Sequence, residues 1–323
     1  IKQKLNVPVM HASKIADVAT ARYAIEAGLL DLVGMTRAII ADPQLPNKIA
    51  NKQEDRIRPC VGASMCIDGI YTAGAAFCIH NPATGRELEL PQEISRAKIS
   101  KKVGVVGGGP AGLEAARVLG ERGHDVTLME ASDRLGGQIN IAVRSPRRRD
   151  LQGIVDWRIQ ELERLGVDVK VNHFAETSDL EQAGFDVVIV ATGGMPHELK
   201  FDGGQFATES WDVLTGSKRI SGNVLVFDDH GGNQALDLAE TLVTAGCTVE
   251  FVTPERSLSP DVGGMVASRY FADLTKSGVK FTMLRQLKAI ERNNDGTLTV
   301  SLGLEDEAWI ETRVVDAVVV ENG

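Results

Sequence analysis

The chain has 323 residues, and at roughly 150 residues per domain that length predicts about two domains rather than one small module. Hydrophobic residues at 43% and charged residues at 24% are the balance of a folded globular chain, which excludes wholesale disorder. A net charge of −9, from 35 Lys and Arg against 44 Asp and Glu, excludes an electrostatic nucleic-acid binder; no apolar run reaches the ~18 residues of a membrane helix. Neither nucleic acid nor membrane is therefore expected as a partner, and a cytoplasmic location is expected. The chain opens at Ile1 without a methionine and stops at Gly323 straight after an apolar strand, which reads as a C-terminal fragment of a longer protein.

Residues 1–58 alternate strand and helix. Val7–Met10 is a short apolar run, Asp17 to Gly28 carries helical spacing, Asp31–Met35 is a second buried-type strand, and Asp42-Pro43 opens a further helix. Alternation of this kind predicts parallel strands with helical crossovers. Residues 59–99 break it with scattered glycines, prolines and three of the four cysteines, and read as an irregular connecting segment. A new domain opens near Lys101. Val103–Val106 is a strand, Gly107–Gly112 a turn, Leu113–Arg122 a helix and Asp125–Glu130 a second strand.

A related unit follows at an offset of 123 residues: strand Asn223–Asp228, helix Asn233–Ala245, strand Thr248–Thr253. Gly109 falls on Gly232, Gly112 on Ala235, Leu119 on Leu242 and Gly123 on Gly246. Such an internal repeat predicts two nucleotide-binding folds, one inserted in the other. The predicted outer fold spans 100–220 and resumes at 311–323, completed by strands Asp186–Ala191 and Val314–Val320. The inserted one spans 221–310.

Gly107-Gly108-Gly109-Pro110-Ala111-Gly112 is a G-x-G-x-x-G between a strand and a helix. Gly107 permits the tight turn, Gly109 lets a pyrophosphate approach the backbone, and Gly112 lets the helix pack against the strand. The free N–H groups and the positive dipole end of the helix face the phosphates. Glu130, ending the second strand, is placed to accept hydrogen bonds from an adenosine ribose. The second turn is degenerate. His230 replaces its first glycine, Asp228 and Asp229 oppose an incoming pyrophosphate, and Thr253 stands where the ribose acid should be, although Arg256 nearby suits a 2′-phosphate. NAD(P)H binding there and a structural remnant both remain open.

Cys60, Cys66 and Cys78 are spaced C-x5-C-x11-C. Thiolates suit iron–sulfur clusters, and one loop of this spacing can wrap a cluster. Ala63 occupies the position that would complete C-x2-C-x2-C. Ser64 or His80 would have to stand in as a fourth ligand, or the cluster would settle in a three-iron form.

These motifs resemble the trimethylamine dehydrogenase and 2,4-dienoyl-CoA reductase group of flavoproteins. Arg134-Leu135-Gly136-Gly137-Gln138 and Ala191-Thr192-Gly193-Gly194 resemble the accessory motifs that line the FAD site in flavoproteins with two dinucleotide-binding domains. The resemblance implies that residues 1–58 end an FMN-binding (β/α)8 barrel, with Ser13, Gly34 and Arg37 at the FMN phosphate. It implies that 59–99 carry a [4Fe–4S] or [3Fe–4S] cluster on Cys60, Cys66 and Cys78. FAD or ADP would lie on Gly107, Gly109, Pro110, Ala111, Gly112, Glu130, Arg134, Gly137, Gln138, Ala191, Thr192 and Gly193.

The segments Arg58–Asp68 and Cys78–Pro82 resemble the branch that demethylates dimethylglycine and N-methylproline. That branch implies an α/β oxidoreductase oxidising an N-methylated amine or amino acid, with an electron-transfer flavoprotein as acceptor and a homo-oligomeric assembly. The reverse reading is an NADPH-dependent enoyl reductase, which needs a competent second turn. No catalytic residue is assigned within these residues, and the chain alone is expected to turn over no substrate.

Overall fold

The computed structural model describes residues 2–12, 15–197, 199–305 and 308–322. The chain divides into two compact units. The first comprises residues 1–140 and 150–193, and the second residues 141–149 and 194–323.

In the first unit, β1 (Met10–His11), α1 (Val18–Glu26) and β2 (Leu32–Val33) form a parallel strand–helix–strand step, with Asp17 capping α1 through the Thr20 amide. Gly34 follows β2 so closely against the first strand that a Cβ there would stand 2.7 Å from the Ala12 side chain. The helices α2 (Thr36–Ala41) and α3 (Leu45–Ala50) follow; the sequence pattern predicts only the second of these. Residues 59–99 are not wholly irregular, because α4 (Met65–Ala73) forms between left-handed residues at Ser64 and Gly74. Nine residues are too few for the periodicity to stand out among scattered glycines.

Next come β3 (Lys102–Val106), α5 (Pro110–Glu121) and β4 (Asp125–Met129), then the short turn α6 (Ile139–Ala142). The unit continues with α7 (Gln152–Leu165), β5 (Asp168–Lys170), α8 (Thr177–Ala183) and β6 (Val187–Val190). The four strands form a parallel sheet in the order β5-β4-β3-β6. Gly112, Leu113, Ala116 and Arg117 make one buried stripe on α5. Its apolar members join Val105, Val126 and Leu128 of the sheet and Val155 and Leu162 of α7 in a single core.

The second unit repeats this plan. After β7 (Thr208–Glu209) and α9 (Ser210–Thr215) come β8 (Asn223–Asp228), α10 (Asn233–Thr244), β9 (Thr248–Val252), α11 (Gly264–Lys276) and β10 (Lys280–Thr282). An antiparallel meander of β11 (Gln286–Arg292), β12 (Leu298–Gly303) and β13 (Ile310–Val315) leads into β14 (Ala317–Glu321). The parallel order is β10-β9-β8-β14-β7. Alternation along the strands builds two cores. Val224, Val226, Val249, Phe251 and Val319 face α10 and α11, whereas Leu225, Phe227, Val252, Val318 and Val320 face Ile290, Val300 and Leu302 of the meander.

The repeat at 123 residues is real at the level of structure, since α5 and α10, and likewise β4 and β9, begin and end at that offset. The strand expected to return to the first fold, however, lies elsewhere. The strand at 186–191 does complete the first sheet beside β3, but the run Val314–Val320 does not return to it. Its first part closes the meander, and β14 then pairs with β8 and β7 in the second sheet. The reason is burial: β14 is covered on both faces and needs a central position, while β6, at the edge of the first sheet, is largely exposed. Residues before 221 also belong to the second unit, where β7 pairs with β14 and leads into α9.

Two arginines of the segment 144–149 are structural. Arg147 clasps Glu240 of α10 (2.6 Å) and Asp273 of α11 (2.7 Å), and Arg148 pairs with buried Asp237 (3.4 Å).

Candidate functional site: a glycine cradle and a cysteine-lined cavity

The first unit gathers three glycine motifs that are distant in sequence. Gly107 has a left-handed φ of +107°, and a Cβ there would lie 2.3 Å from the Ala191 carbonyl oxygen. A Cβ on Gly112 would come within 1.8 Å of the Gly107 carbonyl oxygen and 3.4 Å of the Ala191 methyl group. Hence only glycine lets α5 start so close to the end of β3. At Gly109, by contrast, nothing lies nearer than 4.0 Å, and there is open space over the N-cap of the helix.

Gly109 and Pro110 begin α5 with no side-chain cap and no acidic residue in the first turn, leaving its N–H groups for a ligand. Pro110 and Ala111 are exposed beside them. The Gly136 amide donates to the Gly108 carbonyl (2.9 Å), setting Gly137 against Gly109. Gly193 lies 4.0 Å from the Gln138 amide, with exposed Thr192 next to it. Arg134 is exposed, its guanidinium 3.8 Å from the Asp133 carboxylate.

Glu130 closes the cradle. One carboxylate oxygen accepts from the Gly108 amide (2.6 Å), and the other from the Ser132 amide and hydroxyl (2.8 Å each). Burial works against its charge, but these donors outweigh it and hold the carboxyl below the usual range. Glu130 is therefore an ionised acceptor at the rim of the cradle.

In the second unit the corresponding turn is filled by the protein itself. Buried Asp228 accepts from the amides of His230 (3.2 Å) and Gly231 (2.9 Å), donors that a phosphate would otherwise use. The His230 ring stands 2.9 Å from where a Gly232 Cβ would be, and Pro260 covers Gly231. Glu321, also buried, carries its charge beside Asp228, and desolvation raises the pKa of both acids. Thr253 is fully buried and binds the Glu255 amide, so it presents nothing to a ribose.

The three cysteines converge. Cys60, Cys66 and Cys78, all half-buried, line one cavity with Arg37, Ala63 and Ser64. Its walls are fixed by close packing. A Cβ on Gly69 of α4 would strike the Ala75 carbonyl (2.6 Å), and one on Gly85 the Ala76 carbonyl (2.5 Å), so two glycines clamp the segment leading to Cys78. The left-handed Ser64 turns the chain into α4 and places Cys66 in its first turn. Burial, with the other two cysteines nearby, raises the Cys66 thiol.

His80 stitches the Cys60 and Cys78 segments together rather than joining the cavity. Its Nδ1 pairs with the Pro59 carbonyl (2.9 Å), its carbonyl accepts from Arg158 (3.1 Å), and its ring packs edge-on to Trp157. Burial and the neighbouring Arg158 push its pKa down to about 3. Arg58, Arg117 and Arg158 gather around Trp157 with Glu114 between Arg117 (2.6 Å) and Arg158 (2.9 Å). The sequence signals none of this except Arg58, two residues before Cys60. Arg158 is a buried cation inside an otherwise ordinary amphipathic helix.

Among the described residues, no three His, Cys, Asp or Glu side chains converge tightly enough to ligate a single metal ion. Three thiols on one cavity are the kind of donor set a polynuclear cluster would use, each thiolate holding a different iron. Of the residues expected at an FMN phosphate, Gly34 follows β2 and Arg37 lies in α2 on the cysteine cavity, while Ser13 lies outside the described residues.

Two parallel sheets of one design, the first with an open glycine cradle, define a mixed α/β protein with Rossmann-like nucleotide-binding domains. Profiles agree: an NAD(P)-binding Rossmann-like domain matches residues 105–171, and the pyridine nucleotide-disulphide oxidoreductase family matches 149–323. The chain belongs to the pyridine nucleotide-disulphide oxidoreductase family.

It is 48% identical over its full length to a protein of Rhizobium meliloti described as "Probable N-methylproline demethylase", covering 48% of that protein. It is 43% identical to the N,N-dimethylglycine/sarcosine dehydrogenase of Chromohalobacter salexigens, again over the whole chain and 48% of the relative. Among solved structures, histamine dehydrogenase from Rhizobium sp. 4-9 superposes over the whole chain and 49% of its own, with a TM-score of 0.90 at 26% identity. The resemblance carried by the motifs is thus upheld, and the chain spans about half the length of these relatives. No helix among the described residues is long and apolar enough to cross a membrane.

Proposed function

We propose that the protein is a flavin- and iron–sulfur-dependent oxidoreductase that oxidatively demethylates an N-methylated amine or amino acid, and that this chain supplies its electron relay. The observation that carries the reading is the pairing, within one unit, of an open dinucleotide cradle and a cavity lined by three cysteines. Whole-chain identity to the demethylase and dehydrogenase relatives supports the substrate class.

In this reading the α5 N-terminus and Gly109 bind the pyrophosphate of FAD or ADP, and Glu130 accepts from the ribose hydroxyls. Arg134, Gly137, Gln138, Ala191, Thr192 and Gly193 line the rest of the cradle. Cys60, Cys66 and Cys78 hold the cluster. Residues 1–58 end an FMN barrel, with Ser13, Gly34 and Arg37 at the phosphate. Flavin accepts electrons in pairs and releases them singly, and a cluster carries one at a time. Oxidation of the amine removes two electrons to give an iminium, which water hydrolyses to the demethylated amine and formaldehyde. The electrons leave to an electron-transfer flavoprotein. The carboxylate in the second turn disfavours the reverse, NADPH-driven reading.

Anaerobic absorption spectra of the whole protein test this. Bleaching of the flavin band by N-methylproline, dimethylglycine or sarcosine, with formaldehyde released, is expected. Bleaching by NADPH and by none of these amines would overturn it.

A further inference from the structure

A cubane cluster has four irons, each needing one outward donor, and this cavity offers three thiolates. Among the described residues, the remaining lining includes no His, Asp, Glu or further Cys. Arg37 has no lone pair to give, and a neutral Ser64 hydroxyl is a poor iron ligand. His80 is held away by Pro59 and Trp157 and does not line the cavity. The Asp150 carboxylate lies 3.9 Å from where a Gly62 Cβ would be, and neither it nor Asp68 of α4 belongs to the lining. Ala63 lines the cavity where a fourth thiolate would belong, between exposed Gly62 and, beyond Ser64, exposed Met65.

We propose that the cluster on Cys60, Cys66 and Cys78 keeps one iron without a protein ligand, on the Ala63 side. This iron binds a small external donor, water or a thiol, and exchanges with iron in solution. The inference rests on the cluster assignment made above. Its chemistry is [4Fe–4S]2+ → [3Fe–4S]+ + Fe2+ + e−, with the electron taken by an added one-electron oxidant. Ferrous iron and a reductant reverse it.

The test uses the anaerobically isolated holoprotein and needs no substrate. One equivalent of ferricyanide is expected to release about a quarter of the cluster iron and produce the EPR signal of an oxidised three-iron cluster. Isotopically labelled ferrous iron with dithionite should abolish that signal and, by Mössbauer spectroscopy, enter a single site. Ala63→Cys should retain its iron and stay EPR-silent under the same oxidation. Wild-type protein that keeps all its iron and excludes the label has a fourth internal ligand, and the inference fails while the cluster assignment stands. Protein that carries no iron or sulfide overturns the assignment itself. The wild-type labelling decides the matter even if the variant does not fold.

Discussion

Gly109 and Gly112 belong to one motif, yet the structure gives them separate tasks that substitution to alanine should resolve. At Gly112 the new methyl group would stand 1.8 Å from the Gly107 carbonyl oxygen. A normal carbon–oxygen approach is about 3.3 Å, so α5 would have to retreat by about 1.5 Å. That helix carries Leu113 and Ala116, both fully buried in the core under the sheet. Gly112→Ala should therefore cost about 3 kcal/mol, the upper end of overpacking, and should also lose the nucleotide.

At Gly109 the backbone is ordinary for an L-residue and the nearest atom is 4.0 Å away. The cost of Gly109→Ala is that of a poorer N-cap, about 1 kcal/mol. Its methyl group would nevertheless occupy the approach proposed for the pyrophosphate, and affinity should fall at least about tenfold, or 1.4 kcal/mol. Urea unfolding of nucleotide-free protein separates the two effects, because bound nucleotide would add its own stabilisation. Trp157 lies in the first unit while Trp211 and Trp309 lie in the second. Emission in a Trp211→Phe, Trp309→Phe background thus reads the unit in question, and calorimetric titration with FAD or ADP gives the affinity. Equal destabilisation by the two alanines, or undiminished affinity in Gly109→Ala, would refute the reasoning.

Three further outcomes are expected. Burial opposes the charge of Glu114, but Arg117, Arg158 and Arg58 outweigh it and lower its pKa to about 2. Its contribution to stability is therefore full above the unfolded value of about 4.5 and lost as pH falls towards 2, at about 1.4 kcal/mol per pH unit. Glu114→Gln should flatten that limb in urea melts taken from pH 5 downwards. Burial raises the pKa of Asp228 above its unfolded value, partly offset by the Gly231 and His230 amides, so ionisation costs stability as pH rises through the folded pKa. Asp228→Asn keeps the acceptor and should stabilise the second unit by about 1 kcal/mol at pH 7.5, with no gain below the unfolded value. Tyr270→Phe removes the hydroxyl that donates to buried Asp237 (2.5 Å) and should cost about 1–3 kcal/mol by thermal melt, a loss not recovered at high salt.

The sequence by itself determined the elements whose cause is local. The glycine spacing of residues 107–112, the strand and helix around it, and the repeat 123 residues on all follow from periodicity and from φ values that only glycine adopts freely. The spacing of Cys60, Cys66 and Cys78 singled out three thiols, and the fold brings them onto one cavity.

The tertiary structure alone decided what depends on burial and on partners far along the chain. An apolar run such as Val314–Val320 fits any parallel sheet, and only the need to cover both faces of β14 places it beside β8. Arg147 and Arg148 read as solvated until α10 and α11 bring their carboxylates. Asp228 looks like a charge opposing a phosphate, whereas the fold makes it the acceptor for the turn's own amides, the position the phosphate would take. His80 offers a ligand in sequence and a buried strut in space, because the Pro59 carbonyl and the edge contact with Trp157 fix its ring. Local backbone preference is written in adjacent residues. Desolvation and charge pairing are written only where the folded chain brings distant groups together.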